Sequence, residues 1–326
     1  MRHLRYDAMK RAILAIDIGG SKYAVGLLNE KGEIYAKKRC ACTETSGDKI
    51  IEAIICSAHK LADENPDYQP EMIGVTIPGL ADPKRGHWVE ACFSGIRDLA
   101  VGPILKDEFG MPVYIDNDGQ ACALAERLFG VCRDIHDFIY LTVSNGVGGA
   151  VFASDRIYYG AFGNAGEFGH VTVVEGGRRC KCGKCGCLEM YAAGPGIVAN
   201  YIGLGGRGLL DGKIPDAKYI ASLAEAGEPA AIETFKLEGY YLGKVLAAAC
   251  NILNPARVII GGGVSLAFPI FGKYLSEQVQ RSIYINANKE LEIMPSAFGY
   301  DGGLLGAAAV AVCGCNNKHG WGGICL

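Results

Sequence analysis

Residues 12–28, AILAIDIGGSKYAVGLL, run apolar, break at a glycine pair and run apolar again. Ala12 to Ile18 carries one polar residue, Asp17, just before Gly19 and Gly20, and Tyr23 to Leu28 follows at once. A turn at Asn29 to Gly32 then leads into Glu33 to Lys37. Strand, glycine turn, strand, turn, strand is the pattern of an antiparallel meander. It returns about 125 residues later, a spacing that marks an internal repeat. Phe138 to Val143 is apolar, Ser144-Asn145-Gly146-Val147-Gly148-Gly149 turns, and Ala150 to Phe152 and Arg156 to Tyr158 supply two short strands. The repeat predicts two related domains, each opening with a sheet whose first turn is rich in glycine.

Between the repeats, Lys49 to Ala62 has helical apolar spacing, Met72 to Ile77 reads as a strand ending at Pro78-Gly79, Val113 to Ile115 as another, and Gly119 to Phe129 as helix. Helical patterns follow at Ala217 to Ala226 and Glu228 to Cys250. Val258 to Ile260 is a buried strand, Gly261-Gly262-Gly263 a turn, and Gly302 to Val312 a helix of small residues. Alternating strands and helices indicate an α/β architecture. No Ser-rich or Pro-rich linker separates the halves, so they are expected to pack around a cleft.

With 326 residues, half of them hydrophobic and 21% charged, the chain suits a globular protein of two domains. A formal net charge of -3 gives no sequence-independent grip on nucleic acid or an acidic membrane surface. No apolar run reaches the length of a membrane span, and the start, MRHLRYDAMK, lacks a signal peptide's apolar core, so a cytoplasmic location is expected. The 14 cysteines are then expected to be reduced thiols plus one metal cluster.

Glycine lets backbone N–H groups approach a ligand, which is how phosphates are held without large basic patches. Asp17-Ile18-Gly19-Gly20-Ser21-Lys22 puts a carboxylate, two glycines, a hydroxyl and an ammonium in one turn. The alternative is a plain hairpin. No Walker A loop and no GxGxxG turn occurs, which disfavours a dehydrogenase. Three glycine turns, each directly after an apolar strand, fit a nucleotide held between two domains. In Val113-Tyr114-Ile115-Asp116-Asn117-Asp118 the strand ends at carboxylates. Either aspartate suits a helix cap, and either could take a proton from an attacking hydroxyl, with Asn117 beside it bonding a substrate.

His170, Cys180, Cys182 and Cys187 stand at spacings of ten, two and five, with Cys185 as a fifth candidate. Thiolate and imidazole are zinc's preferred ligands, and four of them leave no open position, so the zinc would be structural. Free thiols are the alternative. Glu167 and Glu189 flank the cluster, where they are either surface acids or carboxylates held against the hydroxyl pairs of a sugar.

The segment Gly166-Glu167-Phe168-Gly169-His170, followed by Cys180-Lys181-Cys182-Gly183-Lys184-Cys185-Gly186-Cys187-Leu188-Glu189, resembles the signature of the ROK family (repressor, open reading frame, kinase). The resemblance runs from about Ala12 to Val312, since the DxGG turn, Ile77-Pro78-Gly79, the Asn117-Asp118 pair and the turn at Gly261 fall in family order. It implies two duplicated actin-like (ribonuclease H-like) ATPase domains around a cleft. The first would span 11–118, the second, carrying a zinc knuckle, 119–300, and a helix at 301–314 would pack back on the first. The implied reaction is transfer of a phosphoryl group from ATP to a hexose 6-hydroxyl by a cytoplasmic homodimer or higher homo-oligomer. Asp118 would be the general base, and Asn117, Glu167, His170, Glu189 and Gly79 would meet the sugar. Gly19, Gly20, Ser21, Lys22, Asn145, Gly146 and Gly148 would face the phosphates, Asp17 would help place magnesium, and Gly262 and Gly263 would lie near the adenosine. Zinc would sit on His170, Cys180, Cys182 and Cys187.

The chain departs from the family in places. Ser21 stands where many members have Thr, Ser144-Asn145-Gly146 where they have Thr-Gly, and Gly119-Gln120 where they have Ala-Asn. Family glucokinases carry a Pro-Asn-Leu segment whose Asn touches the sugar; the corresponding stretch reads Phe93-Ser94-Gly95-Ile96-Arg97-Asp98, with Ser94 or Arg97 as replacements. Glucose is thus the first expectation, with N-acetylmannosamine, fructose, allose and a β-glucoside open, and a non-catalytic sugar-binding regulator as the rival. Family repressors carry an N-terminal DNA-binding domain, and eleven residues precede Ala12, so no nucleic-acid partner is expected. The tail Cys313-Gly314-Cys315-Asn316-Asn317-Lys318-His319, with Cys325, is read as a frayed end rather than a second metal site.

Overall fold

The opening meander forms as read: β1 (Lys10–Ile18), β2 (Lys22–Leu28) and β3 (Ile34–Ala41) pair antiparallel in sequence. The computed structural model describes residues 9–44, 46–91, 95–209 and 214–316. Phe93 and Ser94 of the sugar segment, and Asn317, Lys318, His319 and Cys325 of the tail, lie outside these residues.

The described residues fold as two compact units, one made of those up to 129 together with those from 303 on, the other of those between 130 and 302. In the first, α1 (Gly47–Asp63) starts at Ser46, whose hydroxyl accepts from the Lys49 N–H, and buries Ile50, Ile51, Ile54, Ala58 and Leu61 at helical spacing. β4 (Tyr68–Ile77) then pairs parallel to β1. Three short strands, β5 (Leu80–Asp82), β6 (His87–Ala91) and β7 (Ile96–Leu99), make a sheet of their own, in which fully buried Trp88 donates its indole N–H to Pro78 at 2.8 Å. α2 (Val101–Phe109) ends at left-handed Gly110, β8 (Val113–Asn117) joins β4 in parallel, and α3 (Asp118–Leu128) follows. The resulting order is β3-β2-β1-β4-β8. β1 lies in the middle, covered on both faces, which is why its apolar run is continuous rather than alternating.

The second unit repeats this plan. β9 (Phe138–Val143), β10 (Val147–Ala153) and β11 (Arg156–Ile157) form the meander, and the Phe138 and Phe152 rings stack 4.7 Å apart across it. α4 (Glu189–Ala192), α5 (Gly194–Gly203), α6 (Ala217–Glu225) and α7 (Pro229–Leu253) precede β12 (Arg257–Gly261), which pairs parallel to β9. α8 (Phe268–Ser282) and β13 (Glu292–Pro295) complete an order, β11-β10-β9-β12-β13, that matches the first sheet strand for strand. α7 and α8 approach closely at Gly239, where a Cβ would fall 2.7 Å from the Leu275 nitrogen.

α9 (Gly302–Asn316) returns the chain to the first unit. A side chain at Gly74 of β4 would overlap the carbonyl oxygen of Ala307, and one at Gly306 would come within 3.0 Å of the Ala121 backbone. Small residues on strand and helix thus let backbones meet where apolar side chains would hold them apart. Among the described residues eleven cysteines form no disulfide, whereas Cys313 of α9 is disulfide-bonded, which departs from the expectation of reduced thiols outside the metal cluster. Among the described residues, no helix is long and apolar enough to cross a membrane.

Candidate active site

In the first unit, the turn after β1 is closed by the Gly19 N–H donating to Lys22 O at 2.9 Å, while Gly20, Ser21 and Lys22 stay exposed. Asp17, two residues earlier, pairs in register with Thr76 of β4, whose hydroxyl donates to Asp17 Oδ1 at 2.9 Å. Part of Asp17 reaches solvent, yet protein crowds its carboxyl so densely that desolvation raises its pKa against the opposing pull of Thr76 and Arg39. A crowded carboxyl on a partly exposed residue, with Thr76 as its side-chain donor among the described residues, fits a cation such as magnesium.

The junction of β8 and α3 places Asp116, Asn117 and Asp118. Asn117 is the cap of α3: its Oδ1 accepts from Gly119 N at 2.9 Å and Gln120 N at 3.4 Å. Its amide group donates to Gly79 O at 2.8 Å, so both ends of the Asn117 side chain hold protein groups. Gly79 has φ +83°, and a side chain there would overlap the carbonyl oxygen of Glu90. Asp118 is the first residue of α3, its Oδ1 accepting from Gly119 N at 2.8 Å, and Asp116 is buried in the strand, accepting from Asn117 N at 2.8 Å. Neither aspartate is the helix cap, although sequence left that role open to both.

In the second unit, the remaining candidates form one connected group. The turn after β9 closes through Ser144 N donating to Gly146 O at 2.9 Å, with Asn145 at its exposed tip and Gly148 on β10. Gly262, at φ +80°, lies against the Val143 backbone, and Gly263 lies near Ser144, so the second and third glycine turns meet. Glu189 Oε2 accepts from Val147 N at 3.1 Å and sits where a Gly146 side chain would be, which joins the second turn to the cysteine segment.

The cysteine segment folds tightly on itself. Gly183 and Gly186 both take positive φ, and Cys180 N donates to Lys184 O at 2.8 Å. Ligand atoms of His170, Cys180, Cys182 and Cys187 lie within 4.8 Å of one another. Cys182 and Cys187 Sγ are 3.6 Å apart, and Cys180 Sγ is 3.8 Å from His170 Nδ1. Zinc–sulfur bonds of about 2.3 Å in a tetrahedron put sulfurs about 3.8 Å apart, so the donor set and its spacing fit a metal ion of that kind. Cys185 is exposed and stands outside the group. The far side of the imidazole, Nε2, faces Glu167 Oε2 at 3.7 Å. Crowding by protein raises the Glu167 pKa, with His170 opposing and the Glu189 charge reinforcing.

Sequence reasoning missed the residues that hold this frame. Arg178 donates to Met190 O at 2.9 Å, and its guanidinium lies 4.6 Å from the Tyr191 ring centre, which ties the cysteine segment to α4. Lys184 donates to His170 O at 3.1 Å. Thr76 belongs with them. Strand register revealed it, and no local motif could have.

Known proteins resemble the chain along most of its length. A profile of the ROK family matches residues 13–313. The glucokinase of Halalkalibacterium halodurans is 30% identical over 312 residues, covering 91% of this chain and 93% of that one. The xylose repressor of Bacillus spizizenii is 27% identical, covering 92% of this chain and 76% of its own. A ROK family glucokinase from Streptomyces griseus, solved with glucose and AMPPNP, superposes with a TM-score of 0.83 at 30% identity, over 92% of this chain and 99% of that one. With a matching profile along nearly its whole length and this degree of likeness in sequence and fold, the chain belongs to the ROK family.

Proposed function

We propose that this protein is a sugar kinase, transferring the γ-phosphoryl group of ATP to the 6-hydroxyl of a hexose, with glucose the first substrate to test. Likeness to the glucokinases supports the class of reaction. The observation that carries the reading is Asp118, whose carboxyl stands at the start of α3 beside a cap, Asn117, that is held to Gly79.

Asp118 accepts the proton of the sugar hydroxyl as its oxygen attacks phosphorus, and ADP departs with the bridging oxygen. Glu167, His170 and Glu189 hold the other sugar hydroxyls. Asn117 acts by orienting Asp118 and the Gly79 turn, where Gly79 meets the sugar through its backbone. The turns at Gly19, Gly20, Ser21 and Lys22, at Asn145, Gly146 and Gly148, and at Gly262 and Gly263 receive the nucleotide. Asp17 helps to hold magnesium, which when bound neutralises charge on the phosphates. The four ligands at His170, Cys180, Cys182 and Cys187 hold a structural zinc that braces His170 and fixes its tautomer.

ADP release with MgATP is the test, measured against glucose, mannose, fructose, allose, N-acetylglucosamine, N-acetylmannosamine and a β-glucoside. One strongly active sugar is expected. Asp118→Asn should then lower kcat by about 10² to 10⁴-fold while leaving metal content and melting unchanged. The likeness to a xylose repressor favours a second reading, a regulator that binds sugar without turnover. Sugar binding without ADP release would select it.

A further inference from the structure

Gly303 lies in the first turn of α9, in the same compact unit as Asp17. Its φ is not in the left-handed region, so backbone freedom is not what it provides. Glycine is a poor helix former relative to alanine, so its presence calls for another reason. Space is that reason: a Cβ built on Gly303 would overlap Asp17 Cγ and both of its carboxylate oxygens. The carboxylate of Asp17 is thus seated directly on the backbone of the helix start.

The register of the sheet sets the other walls. Arg39, Ala24, Asp17, Thr76 and Asp116 are successive partners across β3, β2, β1, β4 and β8, so their side chains stand in one row on one face. Thr76 holds Asp17 Oδ1 from the side. α9 covers the same face through Ala307 on Gly74. Asp17 is therefore confined laterally by Thr76 and from above by Gly303, and the carboxylate can shift little unless one of them gives way.

We propose that Gly303 is a positioning residue for Asp17, setting the place of its carboxylate for the magnesium of a bound nucleotide. The inference rests on the kinase reading of Asp17 given above. Any side chain at 303 pushes the carboxylate off Thr76. A helix start that excludes side chains is thereby part of the nucleotide site, although the helix lies almost three hundred residues further along the chain.

Gly303→Ala, Asp17→Ala and the double variant would be compared by thermal unfolding and by binding of AMPPNP with and without magnesium. Gly303→Ala is expected to weaken magnesium-dependent binding by about tenfold or more, leaving binding in EDTA unchanged, as loss of a support to a metal ligand does. In the Asp17→Ala background the same change should cost neither binding nor melting temperature, because nothing remains to collide with. Equal losses in both backgrounds would overturn the proposal, as would an unchanged magnesium dependence in Gly303→Ala. Wild-type magnesium dependence in Asp17→Ala would instead remove the reading of Asp17 itself. Gly306→Ala, which crowds Ala121, is the control: it should lower melting while keeping the magnesium dependence. Should Gly303→Ala fail to fold, recovery of folding in the double variant gives the same support, and no recovery overturns it.

Discussion

Glu238, in the middle of α7, is wholly buried, and neither of its carboxyl oxygens has a hydrogen-bond partner among the described residues. Desolvation alone raises its pKa well above the usual carboxylate range. The folded state therefore keeps a proton that the unfolded chain releases above its ordinary carboxylate pKa. Stability from this residue is full below that unfolded value and declines as pH rises toward the folded one. Glu238→Gln is expected to flatten the decline, and Glu238→Leu to stabilise by about 1 to 3 kcal/mol at neutral pH by removing the unmatched groups. Denaturant titrations at several pH values would measure both, and an unchanged pH slope in Glu238→Gln would contradict the assignment. Nothing in Phe235-Lys236-Leu237-Glu238-Gly239 announces a core residue, because a charged type at a helical position reads as a solvent face. Asp17, by contrast, was visible as a candidate from its place before two glycines, with a plain hairpin turn as the alternative. The partner it takes, Thr76, was not, since register is a property of the assembled sheet.

At the scale of elements, both meanders, α7 and the small-residue helix α9 could be read directly, because each extends over enough residues for its period to emerge. β5, β6 and β7 could not: strands of three to five residues carry too little alternation, and Trp88 looks like any aromatic until its N–H is seen on Pro78. The cysteine segment was legible from its spacing, whereas its anchorage through Arg178 and Tyr191 was not. If a metal braces the segment, Cys182→Ala should lose bound zinc, melt at lower temperature and bind sugar more weakly, all together. Metal analysis, calorimetry and a sugar titration on one preparation test this, and retention of zinc with normal melting would count against it. The seam between α9 and the first sheet makes a separate prediction. Gly74→Ala drives a methyl into the Ala307 carbonyl and should destabilise by about 3 kcal/mol, read from the shift in denaturant midpoint.

For the whole molecule, the kinase and regulator readings agree that sugar binds, so binding should be measured apart from turnover. At a hundredfold excess over its Kd, the correct sugar stabilises the folded chain by about 2.7 kcal/mol. A melting shift confined to one sugar would identify the substrate class even in Asp118→Asn, where ADP release is slowed. Connectivity also has a consequence in time. The first unit is assembled from both ends of the sequence, with residues 130–302 intervening. During translation at about 5–20 residues per second, its sheet waits roughly 10–35 s for the helix that covers it. The second unit is complete by residue 302 and can fold first. A chain cut just short of Gly303 would hold a complete second unit and a first sheet whose α9 face is uncovered, the state of this chain with most need of a chaperone.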